Sequence, residues 1–398
     1  MHRRRVLELA TITGSLIAGC TGNPDQDTAS STPTDTPPQN PDTIYVDSID
    51  GSEQGTGTND DPIQSIQIAL SRAEPGTTVR VAPGEYVEQI VPPQGGTPGA
   101  PITLTGPPEA VLKSDPVKYN VVLIRQSHIH ITGLTIDGLE NPDAPEEVAS
   151  YSEAQLVQTR PPVDTDEYLE DIVIAPHRIG NTQKSLVSLE RTRNAEVGPF
   201  RVIGPSGADY TVGNASDHNG ELVYLGTAPA NLGTDWHPWE EFDQTSHVHV
   251  HHIDASAGHP HGELVDLKPG TNNCTVEYCT STGGGLTTDG AAPTVVGHNG
   301  HHNVVRWNEI ADCAIPIRFD GDYSDSIFAN DIYGNYFYDF SDDAVAFEDK
   351  DEVGIAQQRH ICGNNVEGDS IDTMTADCST DVPESDGVGH LGGDSPWR

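Results

Sequence analysis

Short segments of this chain return at the spacing of stacked coils, and that repetition constrains the fold more than any other feature. SHIHITGL (127–134) and SHVHVHHI (246–253) share apolar residues at their third and eighth positions, and the pattern recurs in NVVRWNEI (303–310), NDIYGNYF (330–337) and, less cleanly, HICGNNVE (360–367). Aligned, they place Thr132, His251, Cys279, Asn308, Asn335 and Asn365 in one column, whose later steps are 28, 29, 27 and 30 residues. A fixed period of this size marks a supersecondary unit that buries its apolar face only by stacking on its neighbours. Asparagine at an inward turn satisfies backbone groups in the coils above and below, so these asparagines are expected to be structural. A second column precedes the first: SLVSLE (185–190), ELVYLG (221–226) and ELVDLK (263–268) align without gaps, with weaker continuations in PTVVGH (293–298), CAIPIR (313–318) and DAVAFE (343–348). Alternate positions of a strand point outward, so the ends of these segments project onto one exposed face. The expected fold is an all-β solenoid, a single-stranded parallel β-helix.

Composition agrees. Gly and Pro number 40 and 30, and only 34% of residues are apolar, which suits short strands joined by turns rather than a helical bundle. Acidic residues outnumber basic ones 61 to 20, a formal charge of −41, which excludes nucleic acid as a main partner and disfavours an anionic membrane surface. The excess is diffuse and lysine is scarce, as on proteins from very salty surroundings, where screening removes much of the self-repulsion.

Arg3, Arg4 and Arg5 precede an apolar run from Val6 to Ala18 that is too short to span a bilayer. The run ends in Ile17-Ala18-Gly19-Cys20, which resembles a lipoprotein signal with a twin-arginine start and implies lipidation of Cys20; a plain secretory signal with an incidental cysteine is the alternative. Residues 21–43, rich in Thr, Ser, Pro and Asp, are an expected tether, 44–385 the β-helix and 386–398 a tail. The expected state is a monomer at the outer face of the cell membrane, held only through a lipid anchor. Of the remaining cysteines, a Cys362–Cys378 disulfide is plausible in an exported chain, and no CxxC pair offers a thiolate zinc site.

From Ile44 the stretch IYVDSIDGSEQGTGTNDDPIQSIQIALSRAEPGTTVRVAPGEYVEQI predicts a short helix over roughly 63–73, a Pro-Gly turn and a strand over 78–82. It resembles the N-terminal cap of right-handed parallel β-helix proteins of the pectate lyase superfamily. A cap is a physical need, since an open solenoid end exposes core and strand edges.

The exposed face presents Glu221 and Glu263, then Lys268, His298 and Arg318 toward its other edge. Carboxylates on neighbouring coils, about 4.8 Å apart, repel unless a cation lies between them. Ca2+ suits that role, with Asn219, Asp217 and Asp266 available to complete its shell; a solvated acidic face is the plainer alternative. Lys268 either pairs with Asp266 or Glu263 or acts as a base, which requires Arg318 or the cation to lower its pKa.

The segment HPHGELVDLKPGTNNCTVEYCTSTGGGL (259–286) resembles the β-helix lyases that include chondroitinase B and related alginate lyases. Their pattern is a calcium-binding Glu, a Lys base five residues later, Ser-x-x-Asn, and Arg-His-Gly on the next coil. Glu263 and Lys268 match that spacing, Asn272 or Asn273 falls where the family has Asn, and Ile315-Pro316-Ile317-Arg318 loosely matches a later GGIR-like element. The chain departs in carrying His261 where a second Glu is usual and His298, in VVGHNG (295–300), where the family has its Arg.

The loop ANLGTDWHPWEEF (230–242) interrupts the repeat, and its Trp236 and Trp239 are suited either to stack on sugar rings or to cover an apolar patch. His247, His249, His251 and His252 are expected to split between strand faces, leaving His259 and His261 as the histidines nearest the site. Asn214 and Asn273 stand in glycosylation sequons.

Together these features point to a secreted, surface-anchored polysaccharide lyase that cleaves an acidic, uronate-containing glycan by calcium-assisted β-elimination, with Lys268 as base. Epimerisation shares the same first step. A glycoside hydrolase needs two flanking carboxyls, and Asp342-Asp343 stands alone. A non-catalytic glycan-binding or scaffold protein is the other class.

Overall fold

In a computed structural model of the chain, the described residues are 42–115, 120–213, 220–257, 261–286, 294–319, 325–347, 354–368 and 374–378. Cys20, the tether up to residue 41, the C-terminal tail, Asn214, Asp217, Asn219 and His259 therefore lie outside them, while Thr43, expected in the tether, already opens the strand Thr43–Val46. Residues from Asp42 onward form one compact unit.

Three parallel sheets of eleven, ten and eight strands run the length of this unit among the described residues. One coil illustrates the rule. Ser246–His251 joins the eleven-stranded sheet, Ile253–Ala255 the ten-stranded sheet and Val265–Leu267 the eight-stranded sheet, before Thr275–Glu277 opens the next coil. The fold is the expected all-β parallel β-helix, in the right-handed sense that parallel crossovers take.

The first coil is closed by the helix Ile66–Arg72, which buries Ile66, Ala69 and Leu70 against it. This helix begins later than the expected 63, because Ile63 is already held in bridges to Val46 and Ser52. Glu88 from the following coil fixes the helix start, accepting hydrogen bonds from Ser65 Oγ (2.6 Å), Ile66 N (2.8 Å) and Gln67 N (3.0 Å). A carboxylate on the first free amides is where the helix dipole favours it.

The asparagine column exists, with two corrections. Asn308 Oδ1 accepts from Cys279 N, Asn335 Oδ1 from Asn308 N, and Asn364 Oδ1 from Asn335 N, each at 3.0 Å. The ladder thus ends on Asn364, not Asn365. It is preceded by Ile253 rather than His251, since Asp254 pairs with Thr280, and Thr132, in line with His251 through Ala175, falls out of the column with it. A second ladder stands at the other end of the eleven-stranded sheet, where Cys274 N donates to Asn303, Asn303 N to Asn330 and Asn330 N to Gln358. Residues just before these ladders turn the corner with positive φ: His252, Tyr278 and Trp307 at one edge, and His247, Asn273 and His302 at the other.

His247, His249 and His251 share the outer face of their strand, with Val248 and Val250 buried between them, so they are not split between faces. His249 pairs with Glu277 at 2.7 Å and His251 with Glu196 at 3.2 Å. Cys362 and Cys378 form the expected disulfide, while Cys274, Cys279 and Cys313 are buried thiols.

Candidate active site

Strand pairing in the eight-stranded sheet sets two columns that face outward. One holds Gln158, Ser188, Tyr224, Asp266, Gly297 and Arg318, matched residue by residue across adjacent coils. The other follows the strand ends, with Arg160, Glu190, Gly226, Lys268 and Asn299 each one residue past the matched Thr159, Leu189, Leu225, Leu267 and His298. Between them an inward column of Leu189, Leu225, Leu267, His298 and Phe319 fills the core.

The pairing corrects the expected place of His298. Leu267, not Lys268, stands opposite it, so its ring points into the solenoid, where it is wholly buried and stacks on Phe319 with centroids 4.9 Å apart. A slip of one residue moves every side chain of a strand to the other face. Burial pushes the His298 imidazole down to about 3, and neither ring nitrogen has a hydrogen-bond partner among the described residues. His298 is a core residue, not part of the exposed face. In CAIPIR the slip is two residues, so Arg318 stays on the outer face but stands in the column of Asp266.

Glu221, Glu263 and Asp266 converge. One ligand oxygen from each lies within 4.8 Å of the others, and all three residues are buried. Glu221 accepts a hydrogen bond from Ser185 Oγ at 2.5 Å. Lys268 Nζ stands 2.5 Å from Asp266 Oδ2 and 5.0 Å from the centre of the Tyr224 ring. Burial and then the neighbouring Asp266 and Glu221 push the Glu263 carboxyl well above its ordinary value. Burial alone works against the Lys268 ammonium, yet the Asp266 carboxylate, with Tyr224 and Glu263, outweighs it and holds the lysine above its usual pKa. Burial likewise raises the Tyr224 phenol, which keeps its proton.

The donor set fits a hard divalent cation. Three carboxylates repel one another in a buried site, Asp266 Oδ1 has no hydrogen-bond partner among the described residues, and Gly297 leaves the space beside them open. A Cβ on residue 297 would come within 3.0 Å of Glu263 Oε1 and 3.2 Å of Asp266 Oδ1. Oxygen-only ligation of this kind suits Ca2+.

The remaining expected residues divide. His261 is fully buried, its Nδ1 2.7 Å from the Gly262 carbonyl and its Nε2 3.3 Å from Ser281 Oγ, so it has no surface to offer a substrate. Trp239 donates to the Thr165 carbonyl at 3.2 Å, and the Arg191 guanidinium lies over both its ring (4.3 Å) and that of Tyr168 (4.4 Å). It therefore ties its loop to residues 160–168. Trp236 stays 68% exposed on the same loop, free to meet a sugar. Asn272 caps its own turn by donating to the Gly270 carbonyl, and Asn273 turns the corner with φ 53°. Tyr224 went unsuggested by the sequence, although ELVYLG sets it in the position that ELVDLK gives to Asp266. The same holds for Arg160 and Glu190, since QLVQTR (155–160) is a further copy of the hexamer.

No protein-family model matches the chain. The uncharacterized protein YwoF of Bacillus subtilis (strain 168) is 36% identical over 106 residues, which are 25% of this chain and 22% of that protein, so the chain spans about a fifth of the length of this curated relative. Among solved structures, an alginate lyase from Paenibacillus sp. str. FPU-7 superimposes with a TM-score of 0.56 over 82% of this chain and 98% of that one, at 16% identity. Pectate lyase Pel9A is similar at a TM-score of 0.47 and 11% identity, covering 85% of this chain and 82% of its own. At such identity the alginate lyase likeness establishes the fold, a parallel β-helix.

Proposed function

We propose that this protein is a polysaccharide lyase that cleaves a uronate-containing glycan by β-elimination on the outer face of its eight-stranded sheet. The observation that carries the reading is the convergence of Glu221, Glu263 and Asp266 beside Lys268 and the column of Arg318. The fold shared with a solved alginate lyase supports it.

Glu221, Glu263 and Asp266 would hold Ca2+, which supplies counter-charge for the substrate carboxylate and offsets the anionic charge that keeps the proton on Lys268. Lys268, in a buried setting that by itself disfavours an ammonium, then takes the C5 proton of the uronate. Arg318 pairs with the charge that develops on the carboxylate as the proton leaves. Tyr224, which holds its proton, offers a hydrogen bond to the leaving oxygen. Trp236 provides an apolar face for a sugar ring. Export and anchoring through a lipidated Cys20 belong to the same proposal and place the site outside the cell.

The 2.5 Å Asp266–Lys268 ion pair favours a second reading, a surface protein that binds an acidic glycan without turnover. One experiment separates the two. Absorbance of unsaturated uronates is followed with pectate, alginate, chondroitin and ulvan in high salt with Ca2+. The lyase reading expects a rise with one polymer, abolished by a chelator and reduced about 10²- to 10⁴-fold in Lys268→Ala. A polymer that binds tightly with no rise leaves the binding protein.

A further inference from the structure

The outward column that carries Lys268 continues past Arg160. Val122, Leu123 and Ile124 pair with Val157, Gln158 and Thr159, so Arg125 takes the place one coil before Arg160. From Lys268 the column therefore runs through Gly226, Glu190 and Arg160 to Arg125, four coils and about 19 Å away at the usual strand spacing. Gly226, with φ +90°, puts no side chain between Lys268 and Glu190.

The two arginines at the far end differ. Arg160 is spent on Glu190, to which its Nε and Nη2 donate at 2.9 and 3.0 Å. Arg125 makes no hydrogen bond or ion pair among the described residues and lines a cavity of about 280 Å³. That volume sits near the lower end of small-ligand pockets, the size of one sugar ring. The cavity is bounded by Tyr168, whose ring contacts the guanidiniums of Arg191 and Arg193 at 4.4 and 3.9 Å and whose hydroxyl accepts from Gln244 N at 2.8 Å. Ser127, Thr165, Asp164 and Glu167 also line it.

We propose that this cavity is a remote subsite for one further uronate unit of the glycan held at Lys268, an inference that rests on the lyase or glycan-binding reading of that site. One cation among carboxylate and hydroxyl oxygens matches a sugar acid. The ligand carboxylate meets Arg125, and the ring hydroxyls, as donors, meet Asp164 and Glu167. A sulfate brings no donors and is repelled by those two acids, and a phosphate offers at most two where a sugar ring offers several. The glycan then runs along the coil axis and passes over the loop 230–242, whose His237 and Trp239 cover Glu190 and Thr165 between the two anchored carboxylates.

The test is calorimetric titration of the full chain with alginate and galacturonate oligomers of increasing length, in a Lys268→Ala background that leaves the probe uncut. Affinity should step up once an oligomer is long enough to reach Arg125. Adding Arg125→Gln should remove that step, lowering affinity for the long oligomers about tenfold, the worth of one charge-assisted contact, while short oligomers bind both proteins alike. Arg125→Lys, which keeps the charge, should restore part of it. Equal binding of long oligomers with and without Arg125→Gln overturns the subsite and leaves the lyase site standing. No binding of any oligouronate at any length overturns both.

Discussion

His298 sits between Leu267 and Phe319 in a core column with both ring nitrogens unpaired among the described residues. An unsatisfied buried polar group costs about 1 to 3 kcal/mol, and burial keeps this imidazole neutral without removing that cost. His298→Leu should therefore raise stability by roughly 1 kcal/mol in urea unfolding and leave the proposed glycan turnover in place. A loss of stability, or of turnover with folding intact, would show that the ring has a partner or a task that the core column does not reveal. The same residue marks what was legible in the sequence. Glu221, Glu263, Asp266 and Lys268 were, because ELVYLG and ELVDLK align without a gap, and the structure brings the three acids and the lysine together. PTVVGH lacks a charged first residue to set its register, and a shift of one residue carried His298 to the wrong face. Tyr224 was missed because an aromatic residue in an apolar hexamer looks like core.

At the level of elements, the coil length and the asparagine ladder could be read directly, since Asn308 and Asn335 recur at one turn. The second ladder mixes Asn303, Asn330 and Gln358, so no single residue type announces it. The loop 230–242 could be recognised as an interruption, but not how it is fastened. His237 from that loop stands 3.0 Å from Glu190, which also accepts from Gln158 and Arg160. Burial on its own would raise the Glu190 carboxyl, but the hydrogen bonds from His237 and Arg160 outweigh it and hold the group below its ordinary value. A carboxylate with a lowered folded pKa contributes stability above its unfolded value, about 4.3, and loses it as the pH falls through the folded value. Replacing Glu190 by Gln leaves Arg160 short of its buried counter-charge and should cost roughly 3 kcal/mol at neutral pH. The gap between wild type and Glu190→Gln, measured by denaturant midpoint, should narrow as the pH falls below the unfolded value of about 4.3, where the unfolded chain takes up a proton that the folded carboxylate still refuses. A gap that stays constant down to pH 3 would mean that the ionised form is not what holds the loop.

For the whole molecule, the chain carries a net charge of −41, and the described coils keep their interior columns apolar. Several of its cations are already committed to local pairs: Arg160 to Glu190, Arg201 to Asp254, Arg306 to Glu277 and Arg359 to Asp331. The rest of the acidic surface repels itself, and the compact state suffers more than the unfolded chain, in which the same charges lie farther apart. The Debye length falls from about 8 Å at 0.15 M salt to 3 Å at 1 M, which is shorter than the spacing of adjacent coils. Thermal stability should therefore climb steadily over that range. Preferential exclusion of salt would also raise it, so the informative quantity is the slope in a less acidic variant. Glu74, Glu85 and Glu153 are exposed, and changing all three to Lys shifts the formal charge from −41 to −35, two units for each exchange. If self-repulsion is the cause, this variant melts higher than wild type at 0.15 M salt, and its melting temperature rises less steeply with added KCl. Parallel slopes, with no advantage at low salt, would assign the effect to exclusion and leave the acidic coat without a role in folding stability.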